Sequence, residues 1–130
     1  MQIVHLEDDG PLREVLKFVL TTADPTVNVQ QFIRSDDAVT HITDHSKEID
    51  LFILDIRVPG TMDGMEVAQK IRDLGCDGAI VITSAYRRPN PALLANLGCK
   101  WMPKPWHVMD AIQKLLPLAK ESFDHRTQAH

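Results

Sequence analysis

An open, doubly wound α/β fold on five parallel strands is what this sequence predicts, from three observations. Short apolar runs alternate with longer segments of helical spacing along the whole chain, the pattern of successive βαβ units. The clearest runs, LFIL at 51–54 and AIVI at 79–82, are continuously apolar, as expected of strands covered on both faces. Most of the runs also stop at a charged or hydroxyl side chain: Glu7, Asp55, Thr83 or Ser84, and Lys104. Ligands of such sheets bind in the crevice beyond the carboxyl ends of the strands.

The elements follow in order. Residues 2–6 form a first strand that runs into Glu7, Asp8 and Asp9, and Gly10-Pro11 opens a helix with Leu12, Val15, Leu16, Val19 and Leu20 as its apolar stripe. Asp24-Pro25 ends it, and residues 27–33 read as a second, less buried strand. Ser35 is the expected N-cap of a helix running to about residue 45. The third strand spans 49–54, Pro59-Gly60 and Asp63-Gly64 mark a tight connection, and a helix follows over 64–74. Residues 79–83 make the fourth strand. Asn90 caps a short fourth helix with Pro91 at its first position and Gly98 ending it in the left-handed conformation. A fifth strand over 100–103 leads to a helix over 106–116, which Pro117 should end or kink, and the polar tail at 121–130 should fray. The usual strand order for five such units is 2-1-3-4-5, with the crevice between strands one and three.

Composition narrows the function. A chain of 130 residues with 44% hydrophobic and 25% charged residues is one globular domain. The net charge of −4, with no block of like charges, argues against direct nucleic-acid binding. No apolar run approaches the ~18 residues of a membrane span, and the start MQIVHLEDDG lacks a signal-peptide pattern, so a cytoplasmic location is expected. Cys76 and Cys99 read as reduced, small apolar residues. The six histidines are scattered; His41 and His45 share a helix but lack the ligand set of a zinc site.

Side by side, the strand ends gather Glu7, Asp8 and Asp55 in one crevice, faced by the hydroxyl of Thr83 or Ser84 and by the Lys104 ammonium. Carboxylates that close repel unless a cation joins them, and an oxygen-only site suits Mg²⁺. Cations and a hydroxyl arranged to neutralise phosphoryl oxygens, with Asp55 left as nucleophile, describe a phosphoryl-transfer site.

The segments LEDDGPLR, LDIRVPGTMDGMEV, ITSA and MPKPW, in this order and at these strand ends, resemble the receiver domain of two-component response regulators over about residues 2–120. The resemblance implies a flavodoxin-like receiver fold over 1–120, with 121–130 as a tail. It implies that Asp55 accepts a phosphoryl group from a histidine kinase or histidine phosphotransfer protein. Glu7 and Asp8 are then the acidic pair, Asp8 and Asp55 ligate Mg²⁺ directly, and the Arg57 backbone carbonyl completes the protein ligands. Asp9 is a bystander. Lys104 bonds a phosphoryl oxygen, Ser84 (or Thr83) supplies the hydroxyl, and Trp101 is the aromatic switch. Arg57 and Tyr86, two residues beyond the acceptor and the hydroxyl, would tune phosphoryl lifetime or be solvated bystanders.

The segment 86–97 departs from the family pattern, being short and carrying Pro89 and Pro91. Receivers generally signal and dimerise through helix four, strand five and helix five, so a homodimer is an open outcome here. Output passes to a downstream partner or to an effector domain on a longer chain. Three rival functions are weaker. A haloacid-dehalogenase-like aspartyl phosphatase needs an acid where Arg57 stands, and a flavodoxin-like carrier needs a Ser/Thr/Gly-rich loop where EDDGPL stands. A degenerate receiver serving only as an interaction module would have lost one of the five key residue types, all of which are present.

Overall fold

The computed structural model of the chain describes residues 1–85 and 87–128. Its strands, β1 (Gln2–Leu6), β2 (Asn28–Phe32), β3 (Leu51–Asp55), β4 (Ala79–Ser84) and β5 (Cys99–Pro103), form one parallel sheet in the order β2-β1-β3-β4-β5. The helices are α1 (Gly10–Ala23), α2 (Ser35–His45), α3 (Gly64–Asp73), α4 (Pro91–Leu97) and a long α5. That last helix comprises an α-turn at Val108–Asp110, a π-helical stretch at Ala111–Leu115 and α-helix over Leu116–Gln128.

Strand alternation divides the core into two layers. Phe52 and Leu54 of β3 face a cluster with Ala38, Ile42, Val67, Ile71, Leu94 and Leu97, contributed by α2, α3 and α4. Leu51 and Ile53 face the opposite cluster, with Leu16, Leu20, Ala111, Leu115 and Ala119 of α1 and α5. All five residues of β3 are buried, and each large apolar side chain among them stabilises the fold by about 1.5–3 kcal/mol.

Local chemistry sets the helix ends. The Asp9 carboxylate accepts from Leu12 N at 3.1 Å and caps α1. Asp63 and Glu66 form a reciprocal capping box on α3. Asn90 accepts from Ala92 N at 2.9 Å, Pro91 opens α4, and Gly98 closes it at φ 64°, as the sequence predicts.

Three expectations are corrected. Ser35 is not the α2 cap: Arg34 holds that position, and the Ser35 hydroxyl accepts from Met62 N at 3.1 Å, tying α2 to the β3–α3 loop. Pro117 does not end the last helix, which continues to Gln128. Its missing donor and its ring would disturb an α-helical ladder back to Gln113, and that residue lies in the wider π-helical stretch, which gives the ring room. Residues 121–128 do not fray but continue α5, held by Arg126, whose guanidinium bonds the buried Asp50 at 2.9 and 3.3 Å. Tyr86 and the last two residues, including His130, lie outside the described residues. No helix among the described residues is long and apolar enough to cross a membrane.

Candidate functional site

Sheet register builds the site. Leu6 pairs with Leu54, and the next residue on each strand is an acid, so Glu7 and Asp55 are neighbours where the two strands end. Asp55 in turn pairs with Thr83, and Ser84 with Pro103, which sets Lys104 just beyond the tip of β5. The Lys104–Pro105 peptide is cis.

The connections press close on this row. A Cβ on Gly64 would stand 2.2 Å from the Asp55 carbonyl oxygen, so only glycine lets the start of α3 approach the end of β3. Gly60 takes φ 120°, a conformation side chains disfavour, against Ser35. From α1, the Arg13 guanidinium donates to the Glu7 carbonyl at 2.9 Å and fixes the end of β1.

Glu7, Asp8 and Asp55 offer carboxylate oxygens within 4.8 Å of one another. Glu7 and Asp55 are buried and Asp8 is exposed. The Lys104 ammonium bonds Glu7 and, at 3.0 Å, Asp55. Burial pushes the Glu7 carboxyl up to about 7, with the bond from Lys104 pulling down and the Asp55 charge adding to the rise. Burial alone would lower the Lys104 ammonium, but its bonds to the two carboxylates hold it above a lysine's ordinary value. The ammonium thus bonds two of three grouped carboxylates, and the donor set is all oxygen. Such a site fits a hard divalent cation that keeps part of its water shell.

A cleft of about 330 Å³ opens on Asp55 and is lined by Ile56, Arg57, Ser84, Ala85, Arg87 and Lys104. Of the two candidate hydroxyls, Ser84 borders this cleft, whereas Thr83 is not part of its wall. The Ser84 hydroxyl donates to the Arg87 carbonyl at 2.7 Å and accepts from the Trp101 indole Nε1 at 2.9 Å. Trp101 packs against the cluster that holds Leu94 and Leu97 of α4, and the Arg88 guanidinium lies over its ring at 5.8 Å. Arg57 is exposed on the rim. Asp9 points to the α1 backbone as its cap, which is a structural task.

Residues 3–106 match the family model of the response regulator receiver domain. The chain belongs to that family. Solved structures agree at the level of fold. A signal receiver domain from Vibrio parahaemolyticus is 21% identical, with a TM-score of 0.85 and coverage of 99% of this chain and 97% of that one. A CheY-like response regulator receiver domain protein from Methanospirillum hungatei is 20% identical, with a TM-score of 0.82 and coverage of 95% and 97%. The non-phosphorylated HemR receiver domain from Leptospira biflexa is 25% identical, with a TM-score of 0.79 and coverage of 91% and 93%. No curated protein sequence gives a significant match. The chain is therefore a response-regulator receiver domain, the signalling module of two-component systems, with the flavodoxin-like order expected of it.

Two features of the receiver site escaped the sequence reading. Arg87 borders the cleft, and its only signal was its place three residues past a strand-end hydroxyl. His5 is buried beneath the site, where burial, then Lys104 and Arg13, lower its imidazole to about 3. Its Nδ1 lies 3.1 Å from Gln31 Nε2, so the ring is neutral and accepts there. An apolar run that merely includes a histidine hides this.

Proposed function

We propose that this receiver takes a phosphoryl group from the phosphohistidine of a histidine kinase or phosphotransfer protein onto Asp55, with Mg²⁺, and thereby switches its binding to a downstream partner. What carries the reading is the Asp55 carboxylate, aimed into a cleft with Lys104 at 3.0 Å and two further carboxylates grouped within 4.8 Å. Glu7, Asp8, Asp55 and the Arg57 backbone carbonyl would hold the ion. When bound, Mg²⁺ neutralises the charge that phosphoryl oxygens bring to an acidic pocket.

The chain's own groups do the rest. An Asp55 carboxylate oxygen attacks phosphorus, the P–N bond to the imidazole breaks, and its electron pair stays on nitrogen. Lys104 gives up a bond to Asp55 and pairs with a phosphoryl oxygen. Ser84 turns from the Arg87 carbonyl to donate to another. That rotation strains or breaks the Trp101–Ser84 bond, so the indole is released from its present partner, and partner binding reads the result. A few kcal/mol of new phosphoryl contacts suffices to invert such a two-state equilibrium.

The test is intact mass after incubation with Mg²⁺ and acetyl phosphate. The parent should gain one phosphoryl group, with no gain in chelator. An Asp55→Asn variant that still gains it would sink the assignment. No gain in the parent under any donor would favour a receiver that acts only as an interaction module.

A further inference from the structure

Three cationic side chains border the Asp55 cleft, and they are not equivalent. Lys104 is committed to Glu7 and Asp55. Arg57 follows the acceptor by two residues on the β3 side. Arg87 comes from the opposite wall, where its backbone is pinned: the Ser84 hydroxyl donates to its carbonyl at 2.7 Å. The neighbouring Arg88 guanidinium is spent on the Trp101 ring, whereas the Arg87 guanidinium forms no ion pair among the described residues. An exposed arginine with a pinned backbone lines an acidic cleft.

Geometry assigns the mouth to a leaving group. In-line transfer to Asp55 places phosphorus next to the carboxylate at the base, so the group that departs lies on the far side, toward solvent. A guanidinium presents a planar fork that matches a carboxylate. We propose that Arg87 recognises the carboxylate leaving group of small acyl phosphates, making this receiver selective for acyl phosphates over phosphoramidates as small-molecule donors. In the transfer, an Asp55 oxygen–phosphorus bond forms as the phosphorus–oxygen bond of the mixed anhydride breaks. The electron pair leaves with the carboxylate, and no proton moves. Phosphoramidate, whose nitrogen leaves as ammonia, offers the fork nothing to hold.

This rests on Asp55 being a phosphoacceptor, and the experiment separates the two claims. Rates of phosphorylation are measured against concentration of acetyl phosphate and of phosphoramidate, with Mg²⁺, for the parent, Arg87→Gln and Arg87→Lys. The Ser84 bond is to the Arg87 backbone, so both variants can keep it, and thermal melts check that they fold. We expect Arg87→Gln to lower the rate of phosphorylation by acetyl phosphate about fivefold, the upper range for an exposed ion pair, because the carboxylate forms only as the bond breaks, with less than a twofold change for phosphoramidate. Arg87→Lys should recover part of the loss. An unchanged rate with acetyl phosphate, or an equal fall for both donors, overturns the role of Arg87 while leaving Asp55 as acceptor. A parent that neither donor phosphorylates overturns both.

Discussion

Asp50 and Asp55 stand at opposite ends of the third strand, both buried and both bonded to a cation, and they do opposite work. Asp50, 1% exposed, is fully answered: Arg126 grips it with two bonds, and Gln2 N donates to it at 2.9 Å. Asp55, 8% exposed, shares one lysine with Glu7 and has Asp8 close by. One end has its charge balanced and closes the fold. The other carries surplus negative charge, which a bound divalent cation would balance. The lesson is that a buried carboxylate marks function only when its partners leave it under-compensated.

The largest expected effect tests how far that imbalance reaches. His5 lies under the functional end and is held neutral, with its folded pKa lowered to about 3 from 6.5. Between those values the unfolded chain binds the extra proton. The contribution of His5 is therefore full above about pH 6.5 and is lost as pH drops toward 3, by several kcal/mol at about 1.4 kcal/mol per unit, while Glu7, raised to about 7 from 4.5, works in the opposite sense between those two values. Urea melts in chelator across that window should show the parent losing stability relative to His5→Gln as pH falls. An equal slope in the variant would place the acid sensitivity elsewhere.

Next comes the structural end. Asp50→Ala leaves Gln2 N and Arg126 without their acceptor and should cost about 2–3 kcal/mol, less than a wholly buried pair because Arg126 is part-exposed and can rehydrate. Asp55→Ala, in chelator, should have the opposite sign and stabilise by about 1 kcal/mol, since it removes one of three crowded carboxylates and leaves Lys104 bonded to Glu7. If both variants lose stability equally, the contrast between the two ends is wrong.

Within the acidic triplet the same contrast recurs at smaller scale. Asp9→Ala should cost about 1 kcal/mol as a lost cap and leave Mg²⁺ affinity nearly intact. Asp8→Ala should do the reverse, weakening Mg²⁺ severely with little effect on the metal-free melt. Mg²⁺ titrations followed by tryptophan fluorescence distinguish them, and matching losses of affinity would mean that Asp9 belongs to the site.

Much of this was readable because the relevant patterns are local. Continuous apolar runs announce β3 and β4, and Asn90-Pro91 and Gly98 announce both ends of α4. The acids, hydroxyl and lysine could be placed together because strand ends in a parallel sheet share one edge. What stayed hidden depends on long-range geometry. Asp50 and Arg126 are 76 residues apart, and nothing near either names the other. The Ser35 hydroxyl looks like a cap until the β3–α3 loop folds onto it. Pro117 reads as a stop because a π-helical stretch leaves no signature in hydrophobic spacing. Residue type does not rank Ser84 and Thr83, since both carry hydroxyls; the small Ala85 that follows favours Ser84, and Ser84 is the one of the two in the cleft wall.

The claim that Asp55 is the under-compensated, phosphoryl-accepting carboxylate is tested most directly by mapping the phosphoryl group itself. An acyl phosphate on aspartate is reduced by borohydride to homoserine, which survives peptide sequencing. The phosphorylated chain, so treated, should yield homoserine at position 55 alone, with Asp8, Asp9 and Asp50 recovered as aspartate. Homoserine at any of those three, or none at position 55 in a chain that has gained phosphoryl mass, would contradict the account.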